Sequence, residues 1–368
     1  MTSYKRIVIK VGSNTLTGDT PRIDRAYATD LVDQICEVRD QGASVVLVSS
    51  GAIVAGLEAL GMSERPPDMP SLQAAASVGQ VRLVETYARL FGERGVVVGQ
   101  VLLTRHDTGH RESYLHARHT FERLLEMGTV PIVNENDTVA VDEIRFGDND
   151  TLAALVATLI SADLVVLLSD IEGMYDADPR LAEEARLLEQ VEELTEDLVA
   201  AAGGTGSIHG SGGMATKIEA AKVLRRAGIP MVICDGRRER VIVDAAAGRP
   251  VGTLFAGGDA SISARKLWIA LGRKPAGEIV VDDGAKAALT ERGKSLLPAG
   301  VVAVVGTFTA GDAVVLKDGS GRAFARGLSE ISSAELEQVK GMKTSEIASA
   351  KPEIANCEVV HRDHMVVF

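Results

Sequence analysis

Aromatic side chains are scarce in this sequence. They make up 4% of its 368 residues, with a single tryptophan. Alanine, valine and glycine are abundant instead, a composition that leans toward α/β architecture with parallel strands. Cysteine is nearly missing. The three are Cys36, Cys234 and Cys357, and no two form a Cys-x-x-Cys pair. That argues against a zinc site or a disulfide framework and suits a reducing cytoplasm. Positive charge is also short, with 39 Lys and Arg against 51 Asp and Glu and a formal net charge of -12. Such a chain has no bulk attraction for nucleic acid or an anionic membrane, so any phosphate it binds must be met locally. No apolar run approaches the roughly 20 residues that span a bilayer. The opening Met-Thr-Ser-Tyr-Lys-Arg runs into a strand without a signal-peptide pattern. No internal repeat or low-complexity segment interrupts the chain.

What is present points to two domains. A chain of 368 residues that is 46% hydrophobic and 24% charged is long enough for two cores and too apolar to be disordered. Through the first two thirds, apolar runs of strand length alternate with amphipathic helical patterns. Arg6–Val11, Ser44–Ser49, Val96–Leu103, Val130–Val133, Leu164–Leu168 and Pro230–Cys234 read as strands. Asp24–Gln41, Gly51–Leu60, Ser71–Arg94, Ser113–Met127, Asp150–Ser161 and Met214–Ala227 read as helices. This alternation predicts a three-layer αβα sandwich around a mainly parallel sheet. Beyond Gly257–Ser263 the pattern changes to short strands separated by turns. The expected organisation is a first domain over 1–262, a linker over 263–274 and a small mostly-β domain over 275–368.

In a sheet of this kind, ligands bind outside the carboxyl ends of the strands. Five constellations fall there. Lys10 ends the first strand, before Gly12-Ser-Asn14. Ser49-Ser50-Gly51 follows the second strand, where hydroxyls either cap a helix or hold a carboxylate at its N-terminus. There is no Gly-x-Ser-x-Gly elbow to make either serine a nucleophile. Asn134-Glu-Asn-Asp137 and Asp148-Asn149-Asp150 form an acidic and amide cluster larger than capping needs. It is suited to hold an amino group, orient lysines or face magnesium. Ser169 and Asp170 end a later strand. Last comes Gly203-Gly-Thr-Gly-Ser-Ile-His-Gly-Ser211-Gly212-Gly213, then Met214-Ala215-Thr216-Lys217. The P-loop spacing Gly-x-x-x-x-Gly-Lys-Ser/Thr fails here, since Ile218 follows Lys217. The physics is nevertheless shared. Glycines let backbone N–H groups approach an anion, and a helix N-terminus adds donors and a positive dipole end. Taken singly, each feature also reads as a cap, a turn or a solvated lysine. Their common placement at one sheet edge is the stronger signal.

Together these segments resemble the amino-acid kinase family, and within it the glutamate 5-kinases. The matching pieces are Ile9-Lys10-Val11-Gly12-Ser13, Val48-Ser49-Ser50-Gly51-Ala52, Asn134-Glu135-Asn136-Asp137, Phe146-Gly147-Asp148-Asn149-Asp150, Asp176-Ala177-Asp178-Pro179-Arg180 and Gly212-Gly213-Met214-Ala215-Thr216-Lys217. The last 90 or so residues resemble a PUA domain. The resemblance implies transfer of the ATP γ-phosphoryl group to the side-chain carboxylate of L-glutamate, the first step of proline biosynthesis. It implies Lys10 and Lys217 on the transferring group, with Asp150 orienting them. It implies Ser50, Gly51, Asn134, Asp137, Asp148 and Asn149 on glutamate. Lys10, Ser169, Asp170 and the run from Ser211 through Gly212, Gly213, Met214, Ala215 and Thr216 to Lys217 would hold ATP. Mg²⁺ would arrive with the nucleotide, and no separate protein metal site is implied. Inhibition by proline and a homo-dimer or homo-tetramer are implied in the same way. Two positions depart from the family's commoner residues: Ser169 stands for Thr and Ala215 for Ser. The nearest rivals share the fold, among them N-acetylglutamate kinase, aspartokinase, carbamate kinase and UMP kinase. A rival of another class is a non-catalytic RNA-binding or regulatory protein. From Gly277 onward there are 10 basic and 13 acidic residues, net -3, which disfavours RNA.

Overall fold

A computed structural model describes residues 3–18, 20, 22–104, 111–139, 149–177, 182, 184–195, 198, 213–258, 275–350 and 358–367. Backbone contacts divide the chain into two units, 1–261 and 262–368. In the first unit the order is β1 (Arg6–Val11), α1 (Ser13–Thr17), α2 (Arg25–Asp40), β2 (Ser44–Ser49), α3 (Ala52–Ala59), α4 (Met69–Gly92), β3 (Val98–Leu103), α5 (Arg111–Glu126), β4 (Val130–Glu135) and α6 (Asn149–Leu159). There follow β5 (Leu164–Ser169), β6 (Gln190–Val191), α7 (Met214–Arg226), β7 (Met231–Asp235), α8 (Val241–Ala246) and β8 (Thr253–Phe255).

Among the described residues these strands form one eight-stranded sheet in the order β3-β4-β2-β1-β5-β7-β8-β6. All neighbours are parallel except β7 and β8, which run antiparallel. Residues 7–11 of β1 are paired on both sides, Ile9 lying opposite Leu47 of β2 and Val166 of β5. A strand buried on both faces must be apolar along most of its length, and β1, β2 and β5 are, with polar residues only at or next to their ends. The pleat then sorts their side chains. Ile7, Ile9 and Val11 enter the core beneath α2, α4 and α8, together with Leu31, Ile35 and Tyr87. Val8 and Lys10 alternate with them and face the other way, toward α6.

The helices form where their apolar spacing and caps dictate. α2 buries Leu31, Ile35 and Val38 along one stripe, and Asp24 caps it by accepting from the backbone N–H of Ala26 and Tyr27 at 3.1 Å each. Asp68 caps α4 through the N–H of Ser71 at 2.9 Å. Residues 149–159 of α6 are nearly all buried, so its sequence lacks a polar stripe. α3 and α4 cross with their backbones in contact. A Cβ on Gly56 would lie 1.7 Å from the Ala75 carbonyl oxygen, and one on Gly79 would lie 1.7 Å from that of Ala52. Only glycine fits at either position.

The predicted strands and helices of the first domain are all present, with ends shifted by a few residues. The sequence reading had no counterpart for α1, β6, α8 or β8. Each is six residues or fewer, too short to show a period.

The second unit holds β9 (Gly277–Val281), α9 (Asp283–Thr290), β10 (Val301–Gly306), β11 (Ala313–Lys317), β12 (Ala323–Leu328), α10 (Ser333–Val339), α11 (Thr344–Ala350) and β13 (Met365–Val367). Its five strands run in the order β10-β9-β11-β12-β13. Ile279, Val281, Val314, Leu316 and Leu336 lie in its core. A capping box fixes the start of α10, with the Ser332 hydroxyl accepting from Glu335 N and the Glu335 carboxylate accepting from Ser332 N. The expected 263–274 linker lies outside the described residues.

Candidate active site

The site lies at the carboxyl ends of β1, β2, β4 and β5, where the strand order reverses about β1. Lys10 is the penultimate residue of β1 and is 5% exposed. Asp150 sits in the first turn of α6 and is 1% exposed. Lys217 sits in the first turn of α7 and is 4% exposed. Lys10 Nζ lies 2.6 Å from Asp150 Oδ1, and Lys217 Nζ lies 3.2 Å from Oδ2. The Thr216 hydroxyl also donates to Oδ2, at 2.8 Å. Burial alone would raise the Asp150 pKa. The two ammonium groups and the hydroxyl outweigh it and bring the carboxyl down to about 2.

A carboxylate removed from water persists only when its charge is matched. Here two ammonium groups meet one carboxylate. The three formal charges sum to one positive charge, held in a nearly water-free setting. That arrangement suits an anion arriving from outside.

Beside this charged knot lies a neutral one. Asn149 precedes Asp150 and is likewise buried, but its side chain goes elsewhere. Its Nδ2 donates to the Ser50 hydroxyl oxygen at 2.8 Å and to Asn134 Oδ1 at 3.0 Å. Asn134 Oδ1 also accepts from the backbone N–H of Glu135 at 2.9 Å. Asn134 Nδ2 donates to Gln80 Oε1 at 2.8 Å. Gly51 follows Ser50 with φ 104°, a left-handed conformation that favours glycine, and starts α3. A Cβ there would also crowd Leu16 Cδ2 at 3.1 Å.

On the β5 side, the Ser169 hydroxyl donates to Asp170 Oδ1 at 3.2 Å, and Asn14 Nδ2 donates to Oδ2 at 3.4 Å. Burial pushes the Asp170 carboxyl up, but Asn14 and then its own backbone and Ser169 bring it below the usual carboxylate range. Gly213 caps α7 in an extended conformation with no side-chain cap, and Met214, Ala215 and Thr216 form its first turn. The N-terminal N–H groups of α7 therefore lack a side-chain acceptor from Gly213.

The structure thus brings Lys10, Asp150, Thr216 and Lys217 into direct contact, and Ser50, Asn134 and Asn149 into another cluster. Asp137 is half-buried in the turn after β4. Asp148, Ser211 and Gly212 lie outside the described residues, as do Phe146, Gly147 and the 178–180 part of the Asp-Ala-Asp-Pro-Arg segment. Gln80 had no place in the sequence reading. It stands mid-helix in α4, where its one signal is the neighbouring Gly79. Among the described residues no His, Cys, Asp or Glu group of three or more is placed to hold a metal ion, and no helix is long and apolar enough to cross a membrane. Cys234 is buried and its thiol is pushed up to about 12, chiefly by burial, which leaves it unreactive at neutral pH.

Residues 5–235 match the model of the amino acid kinase family, and residues 277–350 match the PUA domain. The chain is 47% identical to glutamate 5-kinase of Caldanaerobacter subterraneus subsp. tengcongensis, covering 99% of this chain and 98% of that one. It is also 47% identical to glutamate 5-kinase of Pelobacter propionicus, again over 99% and 98%. A distant structural likeness is to UMP kinase from Ureaplasma parvum, at a TM-score of 0.47 and 15% identity, covering 68% of this chain and 98% of that one. The chain therefore belongs to the amino acid kinase family, in its glutamate 5-kinase branch, and carries a PUA domain after the kinase domain.

Proposed function

We propose that the protein transfers the γ-phosphoryl group of ATP to the side-chain carboxylate of L-glutamate and releases L-glutamyl 5-phosphate. The observation that carries this reading is the buried contact of Lys10, Asp150 and Lys217, in a chain so close to named glutamate 5-kinases. A carboxylate is already a nucleophile, so the reaction needs no general base. It needs two anions brought together in line with their charge offset.

Lys10 and Lys217 supply that offset for the transferring group. Asp150 holds both ammonium groups in place and stays ionised at neutral pH. The first turn of α7, with Gly213, Met214, Ala215 and Thr216, offers backbone donors to the nucleotide phosphates, helped by Ser211 and Gly212. Mg²⁺ bound with the nucleotide would further neutralise the phosphates. Ser169 and Asp170 close the nucleotide side. Ser50, Gly51, Asn134 and Asn149 hold the acceptor, and Asp137 and Asp148 supply negative charge for its ammonium group. The reaction would be the first step of proline biosynthesis in the cytoplasm, with proline as inhibitor and a dimer or tetramer as the working form. These last points rest on the family resemblance alone.

The test is purified protein with ATP, Mg²⁺, L-glutamate and hydroxylamine, read as γ-glutamyl hydroxamate. Aspartate and N-acetylglutamate replace glutamate in parallel, and proline is added to a further sample. Glutamate-dependent hydroxamate, lost in Lys217→Ala and Asp150→Ala, is the expected result. Product with another acceptor only would reject glutamate and keep the phosphotransferase. No product with any acceptor would reject the reading.

A further inference from the structure

The amide cluster carries information beyond its contacts, because its hydrogen bonds have direction. Which end of an Asn or Gln amide is oxygen is ordinarily a matter of assignment. Here one bond settles it. The backbone N–H of Glu135 can only donate, so the Asn134 atom facing it is Oδ1. The Asn149 atom facing Oδ1 must then be Nδ2. That same Nδ2 reaches Ser50, so the Ser50 oxygen accepts and its proton points elsewhere. On the other side, Asn134 Nδ2 needs an acceptor, and Gln80 Oε1 supplies it. Four side chains are polarised by one peptide N–H. No acceptor among the described residues takes the Ser50 proton, so the relay leaves this hydroxyl as a donor for the site.

Gln80 closes this relay. It is supplied by α4, while the other members come from β4, the end of β2 and the start of α6. It keeps its place although its Nε2 is enclosed and has no hydrogen-bond partner among the described residues. Gln80 is half-buried, but an enclosed Nε2 with unmatched donors is destabilising, so packing alone would favour an apolar side chain there. Its position is set by Gly79, one residue earlier, where α4 presses against α3 immediately after Ser50 and Gly51.

We propose that Gln80 is a positioning residue for the acceptor substrate. Its Oε1 holds the Asn134 amide in the orientation that points Asn149 Nδ2 at Ser50 and frees the Ser50 proton for a carboxylate oxygen of the substrate. The proposal rests on the glutamate reading above. Without Gln80 Oε1, Asn134 Nδ2 would lose its acceptor, and the Glu135 N–H alone would be left to hold the amide against Asn149.

The test uses the full chain and two variants. Gln80→Met keeps length and removes the acceptor. Gln80→Glu keeps an acceptor oxygen in place. The hydroxamate assay gives KM for glutamate and for ATP, with kcat, in all three proteins. The expected result for Gln80→Met is a rise in the glutamate KM of about tenfold or more, with the ATP KM and kcat within about threefold. Gln80→Glu should return the glutamate KM to within about threefold of the parent. A glutamate KM that stays near the parent value in Gln80→Met would overturn the proposal. So would both KM values rising together, or Gln80→Glu behaving no better than Gln80→Met. Gln80→Met that does not fold leaves Gln80→Glu to decide, since a raised glutamate KM there also overturns it. Failure of the parent protein to use glutamate is a different result, and it removes the reading on which this one stands.

Discussion

Asn149 and Asp150 are neighbours at the start of α6, yet they belong to different halves of the site. Asp150 is the centre of a charged knot with Lys10 and Lys217. Asn149 is the centre of a neutral relay with Ser50 and Asn134. The two halves share the start of α6 and are buried alike, but one draws on β1 and α7 and the other on β2 and β4. They differ in what they can do. The charged half offers a net positive field and little shape, so it suits a transferring phosphoryl group whose charge is spread over several oxygens. The neutral half offers directed donors and acceptors and no net charge, so it suits discrimination of one acceptor from another. On the proposed function, one helix start divides the labour, with recognition on Asn149 and chemistry around Asp150.

The sharpest way to break this comparison is Asp150→Asn. It leaves two buried ammonium groups without their carboxylate and should cost about 3–5 kcal/mol at neutral pH, read as a fall in the urea midpoint. The pH dependence has a definite sign. The folded carboxyl titrates at about 2, below its ordinary 3.8. Its stabilisation is therefore complete above pH 3.8 and is lost as pH falls from there toward 2. The gap between parent and variant should hold steady from pH 7 to 5 and narrow only below about pH 4. A gap that closes between pH 7 and 5 would mean that another group holds the knot together.

Next in size is Lys217→Met, which removes one positive charge from the phosphoryl side. It should lower kcat by about 10²–10³ and leave the glutamate KM within about threefold, as steady-state kinetics will show. Asn149→Ala should do the reverse, raising the glutamate KM by about 10–100-fold with a smaller change in kcat. If both variants moved kcat and KM in the same proportion, the division into halves would be wrong. The smallest expected effect is Thr216→Val. It removes one hydrogen bond to Asp150 Oδ2 and should slow turnover by about tenfold or less.

Much of the first domain was legible because parallel strands buried on both faces leave short apolar runs, rich in valine and isoleucine, that alternate with longer helical patterns. Once the strands were placed, Lys10, Ser50, Asp150, Ser169 and Lys217 drew attention as polar residues at their carboxyl ends or at the helix starts that follow. The partnering was less legible. Nothing in the spacing of 10, 150 and 217 shows that two lysines share one carboxylate. Gln80 was invisible for a plain reason. Amid Gln73-Ala-Ala-Ala-Ser-Val-Gly79-Gln80 a glutamine reads as the solvated side of a helix, and only packing reveals that it faces Asn134. In the second domain the short helices α9, α10 and α11 were missed because the strand signal around them dominates.

The crossing of α3 and α4 has a consequence for anyone reading function from variants. Gly56 and Gly79 belong to neither half of the site, yet a single methyl group at either would drive apart the helices next to Ser50 and Gln80. In a saturation scan scored by growth, these two positions would be as intolerant as Lys217. A map drawn from such scores alone would place catalysis on two residues that have no side chain at all.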